Sequence, residues 1–66
     1  MQTTTYSVPG VSCEHCRVAI TGEVAQVAGV DSVDVDLGAK RVIVTGDAFA
    51  DAAVRDAIDE AGYDIA

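Results

Sequence analysis

Cys13 and Cys16 are the only cysteines of the chain, set two residues apart in the stretch PGVSCEHCRVAI, residues 9 to 20. A pair at this spacing can do three kinds of chemistry. It can cycle between dithiol and disulfide, because N–H groups and the dipole at a helix start lower a thiol pKa. It can be half of a structural zinc site, which needs four ligands in a tetrahedron. Or it can hold a soft ion by itself. Thiolates select Cu(I) among the common biological metals, and Cu(I) accepts two sulfur ligands. One Cu(I) between two thiolates leaves a net charge of −1, which helix-end N–H groups stabilise. Arg17 stands next to the pair as a possible electrostatic aid. An exposed two-coordinate ion is open to attack by a partner's thiolates, which suits delivery better than storage.

The spacing alone leaves the three open, and the remaining residues weigh on them. A thioredoxin-like redox protein needs a longer chain, and the single proline, Pro9, precedes the pair instead of facing it from another strand. A second Cys or Cys/His pair for zinc is missing, and His15 lies between the cysteines, where it should point away from a shared site. Two chains could still complete a zinc centre.

The bulk composition sets the frame. At 66 residues the chain is one small domain, of a size that buries only roughly 60% of its surface on folding. Two cysteines this close cannot close a useful loop, so the fold must rest on regular packing. Half the residues are apolar and only Tyr6, Phe49 and Tyr63 are aromatic, which favours a close-packed core of Val and Ala. The net charge of −7 argues against nucleic acid and against anionic membranes. Solubility, or steering toward a basic partner surface, fits that charge better. No apolar run approaches the ~20 residues of a membrane helix. The start MQTTTYSV lacks the basic and apolar regions of a secretory signal. Together with a cysteine pair, these features suggest the reducing cytoplasm.

The elements that must position the pair are readable from periodicity. Residues 3 to 8, TTTYSV, predict a strand ended by Pro9-Gly10. From Glu14 the period changes: Cys16, Ile20, Val24 and Val27 recur at helical spacing, with Ser12 the expected N-cap and Gly29 the expected C-terminal glycine. Val33, Val35 and Leu37 alternate with Asp34 and Asp36, Gly38-Ala39-Lys40 forms a turn, and Val42 and Val44 continue the inward face. A second helix runs from Phe49 or Ala50 to Ala61, with Val54, Ala57, Ile58 and Ala61 inward, and Gly62 ends it before a short last strand, YDIA. The order is βαββαβ. The two halves echo each other in VAGVDSV and EAGYDIA. An α+β, ferredoxin-like fold follows, a four-stranded antiparallel sheet with both helices on one face.

The acidic pairs Asp34/Asp36 and Asp59/Glu60 fall on exposed faces in this reading, with no pocket around them. No nucleophile–base pair or phosphate loop is present, so the sequence does not read as an enzyme.

GVSCEHC resembles the metal-binding loop of the heavy-metal-associated domain family, usually Gly-Met-x-Cys-x-x-Cys. The likeness runs through residues 1–66 as a single domain, including VAGVDSVDVDL, RVIVTGD and AIDEAGYDIA. It is greatest to stand-alone bacterial copper chaperones. The resemblance implies that Cys13 and Cys16 ligate Cu(I). It implies that Tyr63 matches a tyrosine beside the metal loop and that His15 matches a histidine common between the cysteines. Val11 replaces the family's methionine, which packs under the loop without binding metal. Ser12 and His15, with Val11 and Tyr63, would surround the ligands. The implied partner is the metal-binding domain of a copper-transporting P-type ATPase, with a copper-responsive regulator as another. A monomer is expected, or a dimer bridged by copper. The rival readings are a metal-binding domain of a larger transporter, a dithiol redox protein, and a carrier of Hg(II) or Zn(II).

Overall fold

β-Branched and aromatic residues favour extended backbone, and Gln2–Ser7 forms β1 in the computed structural model, which describes residues 1–66. Four further elements follow: α1 (Glu14–Val24), β2 (Val30–Asp36), β3 (Arg41–Gly46) and α2 (Asp51–Glu60). β2 and β3 form an antiparallel hairpin with Asp36 opposite Arg41. Its turn is fastened by the Ala39 N–H, which donates to Asp36 Oδ1 at 3.1 Å. β1 pairs antiparallel on the other side of β3, Tyr6 opposite Val42, so the order is β1-β3-β2.

Strand alternation sends Tyr6, Val35, Val42 and Val44 to one face, and Thr3, Thr5, Asp34, Asp36 and Arg41 to the exposed other. The two helices lie against each other over the apolar face. α1 contributes Cys16, Ile20 and Val24 to a single core, and α2 contributes Val54, Ala57 and Ile58. Val8, Val11 and Phe49 complete it from the loops. The acidic pairs Asp34/Asp36 and Asp59/Glu60 are exposed, as the periodicity requires.

Burial alone does not fix α2 on β1. The Tyr6 hydroxyl donates to Asp51 Oδ1 at 2.6 Å. Arg55 Nε donates to Asp51 Oδ2 at 2.8 Å, and its guanidinium lies 5.7 Å from the Tyr6 ring centroid. Burial, and then the bond to the Asp51 carboxylate, push the Tyr6 phenol up to about 12. The Tyr6 bond and then Arg55 hold Asp51 below the usual carboxylate range. Asp51 also sits in the first turn of α2, where negative charge is favoured.

Three expectations need correction. The sheet has three strands, not four. The tail lies along β1, where a fourth strand would pair, but it makes one backbone bond there, Ala66 N–H to Ser7 C=O at 2.8 Å. One bond makes no ladder, and Tyr63 is drawn to the loop below β1 instead. The N-cap of α1 is Cys13, not Ser12: Cys13 has extended backbone, and its carbonyl accepts from Cys16 and Arg17 N–H groups. Gly29 does not end α1, which stops at Val24 with Ala25 as its C-cap. It sits instead in a left-handed turn, φ +90°, where the chain enters β2. Its carbonyl accepts the Asp47 N–H at 2.7 Å, and a side chain on Gly46 would overlap that same carbonyl.

Gly22 and Gly46 should therefore respond oppositely to alanine. Gly22 is exposed within α1, and a methyl there would meet nothing within 4 Å. Gly22→Ala should stabilise the fold by about 1 kcal/mol, the helix-propensity difference. Gly46→Ala should destabilise it by about 3 kcal/mol through forced backbone displacement. Urea unfolding of the two variants checks both signs.

Candidate metal centre

The loop between β1 and α1 is held from three directions. Val11 is fully buried in the core. Its N–H donates to the Val8 carbonyl at 3.1 Å, closing the turn through Pro9 and Gly10. The hairpin turn supports the loop from the side. The Lys40 carbonyl accepts the Val8 N–H at 2.9 Å, and Lys40 Nζ donates to the Val11 carbonyl at 3.2 Å.

The third support comes from the far end of the chain. α2 terminates in a Schellman turn: Gly62, φ +92°, donates to Asp59 C=O at 2.9 Å, and Tyr63 N–H donates to Ile58 C=O at 3.2 Å. The left-handed glycine turns the chain so that the half-buried Tyr63 ring covers Gly10. A methyl on Gly10 would lie 3.5 Å from that ring. Gly62 as a helix stop was readable from sequence, and it delivers Tyr63 to the site.

The two sulfurs lie 3.5 Å apart and are not joined in a disulfide. Their settings differ: Cys13 is exposed at the N-cap, while Cys16, in the first turn of α1, is only 7% exposed. The Cys16 thiol is lowered to about 6. The Tyr63 phenol beside it is the largest cause, followed by the Ser12 backbone amide, with smaller help from Cys13 against the opposing effect of burial. The thiolate in turn raises the Tyr63 phenol. Cys16 is thus largely a thiolate at neutral pH, the state in which sulfur attacks and ligates.

The other sequence-predicted residues divide. Val11 packs under the loop. Ser12 is exposed and acts through its backbone, not as a cap. His15 is exposed on the outer side of α1, beside Val18 and Ala19 and away from the sulfurs' shared side. Arg17 pairs with Glu14 instead of the sulfurs. No three His, Cys, Asp or Glu side chains converge anywhere, so the loop offers a metal two sulfurs and no further side-chain ligand. Sequence reasoning missed Lys40. The one signal available was its status as the sole lysine among eleven acids.

Residues 5–64 match the model of the heavy-metal-associated domain. The chain belongs to that family. Among curated relatives, the heavy-metal-associated domain here is 40% identical to the copper chaperone CopZ of Bacillus subtilis, over all of this chain and 99% of that one. Among solved structures, it superposes on a CopZ metallochaperone with a TM-score of 0.93 and 34% identity, covering 98% of this chain and 100% of the other. It shares its fold with a copper binding domain from HMA7, a P-type ATPase, at a TM-score of 0.89, 24% identity and coverage of 100% and 92%. No helix of this family member is long and apolar enough to cross a membrane.

The lowered Cys16 thiol makes the site's acidity measurable. A group whose folded pKa is depressed stabilises the fold above its unfolded pKa, and loses that contribution as pH falls through about 6. Alkylation of Cys16 by iodoacetamide, followed by peptide mass spectrometry, should reach half its limiting rate near pH 6. Tyr63→Phe should move that midpoint upward, toward the ordinary thiol range. An unmoved midpoint would reduce Tyr63 to a packing residue.

Proposed function

We propose that this chain is a Cu(I) carrier. Cys13 and Cys16 bind the ion as a thiolate pair, and the loop passes it to the metal-binding domain of a copper-transporting P-type ATPase. The observation that carries the reading is a pair of sulfurs 3.5 Å apart with no third ligand converging on them. Two-sulfur coordination satisfies Cu(I) and leaves zinc short of its tetrahedron. The chain's likeness to the copper chaperone of Bacillus subtilis and to a CopZ metallochaperone supports copper as the cargo and a carrier, not an enzyme, as the role. The fold shared with a copper binding domain of a P-type ATPase supports a recipient built like the donor. We take residues 1–66 as one such domain working in the cytoplasm. A copper-responsive regulator as second recipient, and a copper-bridged dimer, rest on the family resemblance alone.

The asymmetry of the pair gives transfer an order. A thiolate of the recipient attacks the ion from the open side and forms a third copper–sulfur bond. The bond to Cys13 then breaks, because Cys13 is the exposed ligand, and its thiolate takes a proton from water. A second recipient thiolate displaces Cys16 in the same way. Copper stays Cu(I) throughout, and no electron moves. While loaded, the site's net negative charge faces the first N–H groups of α1.

Anaerobic titration of the reduced protein against a chromophoric Cu(I) chelator, with Zn(II) in a parallel run, tests the reading. About one Cu(I) should bind per chain, and Zn(II) should not displace it. Cys13→Ser or Cys16→Ser should each abolish tight binding while the fold persists by circular dichroism. Retained affinity in either variant, or preference for Zn(II), would overturn the assignment.

A further inference from the structure

Lys40 is the only lysine of the chain, and eleven carboxylates are available to it. Its ammonium nevertheless reaches a backbone carbonyl, that of Val11, at 3.2 Å and across 29 positions of sequence. Arg17 and Arg55 behave differently, each pairing with an acid on its own helix. The oxygen Lys40 holds belongs to the peptide joining Val11 to Ser12. A peptide is planar and trans, so its C=O and N–H point in opposite directions. Fixing the oxygen therefore fixes the N–H of Ser12. That N–H lies one residue before Cys13, the first sulfur of the pair. A positive charge on the oxygen also polarises the peptide and strengthens the N–H as a donor. The Lys40 main chain is independently committed, its carbonyl accepting from Val8 at 2.9 Å with φ at +57°. One residue thus grips the loop at two points, and only one grip depends on the side chain.

We propose that Lys40 is a positioning residue, whose ammonium clamps the Val11–Ser12 peptide just ahead of Cys13 and so retains the ion in the loop. The inference rests on the Cu(I) reading of the cysteine pair. Without the ammonium the loop loses one of its two ties to the hairpin turn and loosens, and the ion leaves sooner.

Lys40→Met keeps the apolar stem and removes the charge, and Lys40→Arg keeps the charge. Both leave the backbone bond to Val8 in place. In the metal-free protein, the Val11 amide, which is bonded to the Val8 carbonyl, should exchange hydrogen about tenfold faster in Lys40→Met than in wild type, the size expected from losing a hydrogen bond to a charged donor. Core amides of α2 should be unchanged, and Lys40→Arg should restore protection. In the loaded protein, Cu(I) loss to a chromophoric chelator should be about tenfold faster for Lys40→Met and near wild type for Lys40→Arg. Unchanged loop exchange in Lys40→Met would overturn the proposal, as would equal Cu(I) loss from all three proteins. If wild type itself binds no Cu(I), the copper reading falls and hydrogen exchange alone decides the positioning role.

Discussion

The complete burial of Val11 is the interaction on which the site depends. A loop carrying two thiols near a solvent-facing helix start has no covalent anchor in this chain. Placing Val11 in the core fixes the backbone two residues before Cys13. Cys16 does the same from the other side, since its side chain packs with Ile20 and Val24 in the same cluster. The two ligands therefore bracket a short span whose ends are both set by the hydrophobic core. The branched valine is stiff about its first side-chain torsion, so the volume beneath the loop is filled by a group with little freedom of its own.

Around that anchor, the polar contacts tune charge more than they hold the fold. Tyr63, the Ser12 amide and Cys13 act on one sulfur, and Lys40 holds the Val11–Ser12 peptide. Tyr6, Asp51 and Arg55 form the one polar cluster that joins β1 to α2, tying the end of the strand that leads into the loop to that helix. Arg17, the base nearest the sulfurs in sequence, is spent on Glu14. Stabilisation of a thiolate here comes from oriented dipoles, with no cation in direct contact. Such a site favours negative charge without locking a counter-ion in place.

Much of this was legible in the sequence. Alternation at Val33, Val35, Val42 and Val44 and the helical spacing of Cys16, Ile20 and Val24 are statements about burial, and burial decided the fold. Capping was less legible. Ser12 has the better side chain for an N-cap, but the first helical carbonyl acceptor is Cys13, and backbone dihedrals settle which residue that is. The last strand failed for a related reason: YDIA has the composition of a strand, whereas a strand is a ladder of bonds, and only Ala66 reaches β1. Tyr63 was marked by family resemblance alone, because its route to the loop depends on a turn at the opposite end of the chain. Lys40 carried no periodic signal at all, since its contact spans two connections that composition does not relate.

The Schellman turn that brings Tyr63 over Gly10 also bears on biogenesis. Synthesis proceeds from the N-terminus, so Cys13 and Cys16 emerge while α2 and Gly62 are still unmade. A nascent chain thus exposes its thiols before it possesses the phenol that most lowers the pKa of Cys16. The acidity of Cys16 therefore matures only once the turn after α2 has formed. The arrangement ties activation of a sulfur at the start of α1 to the folding of α2.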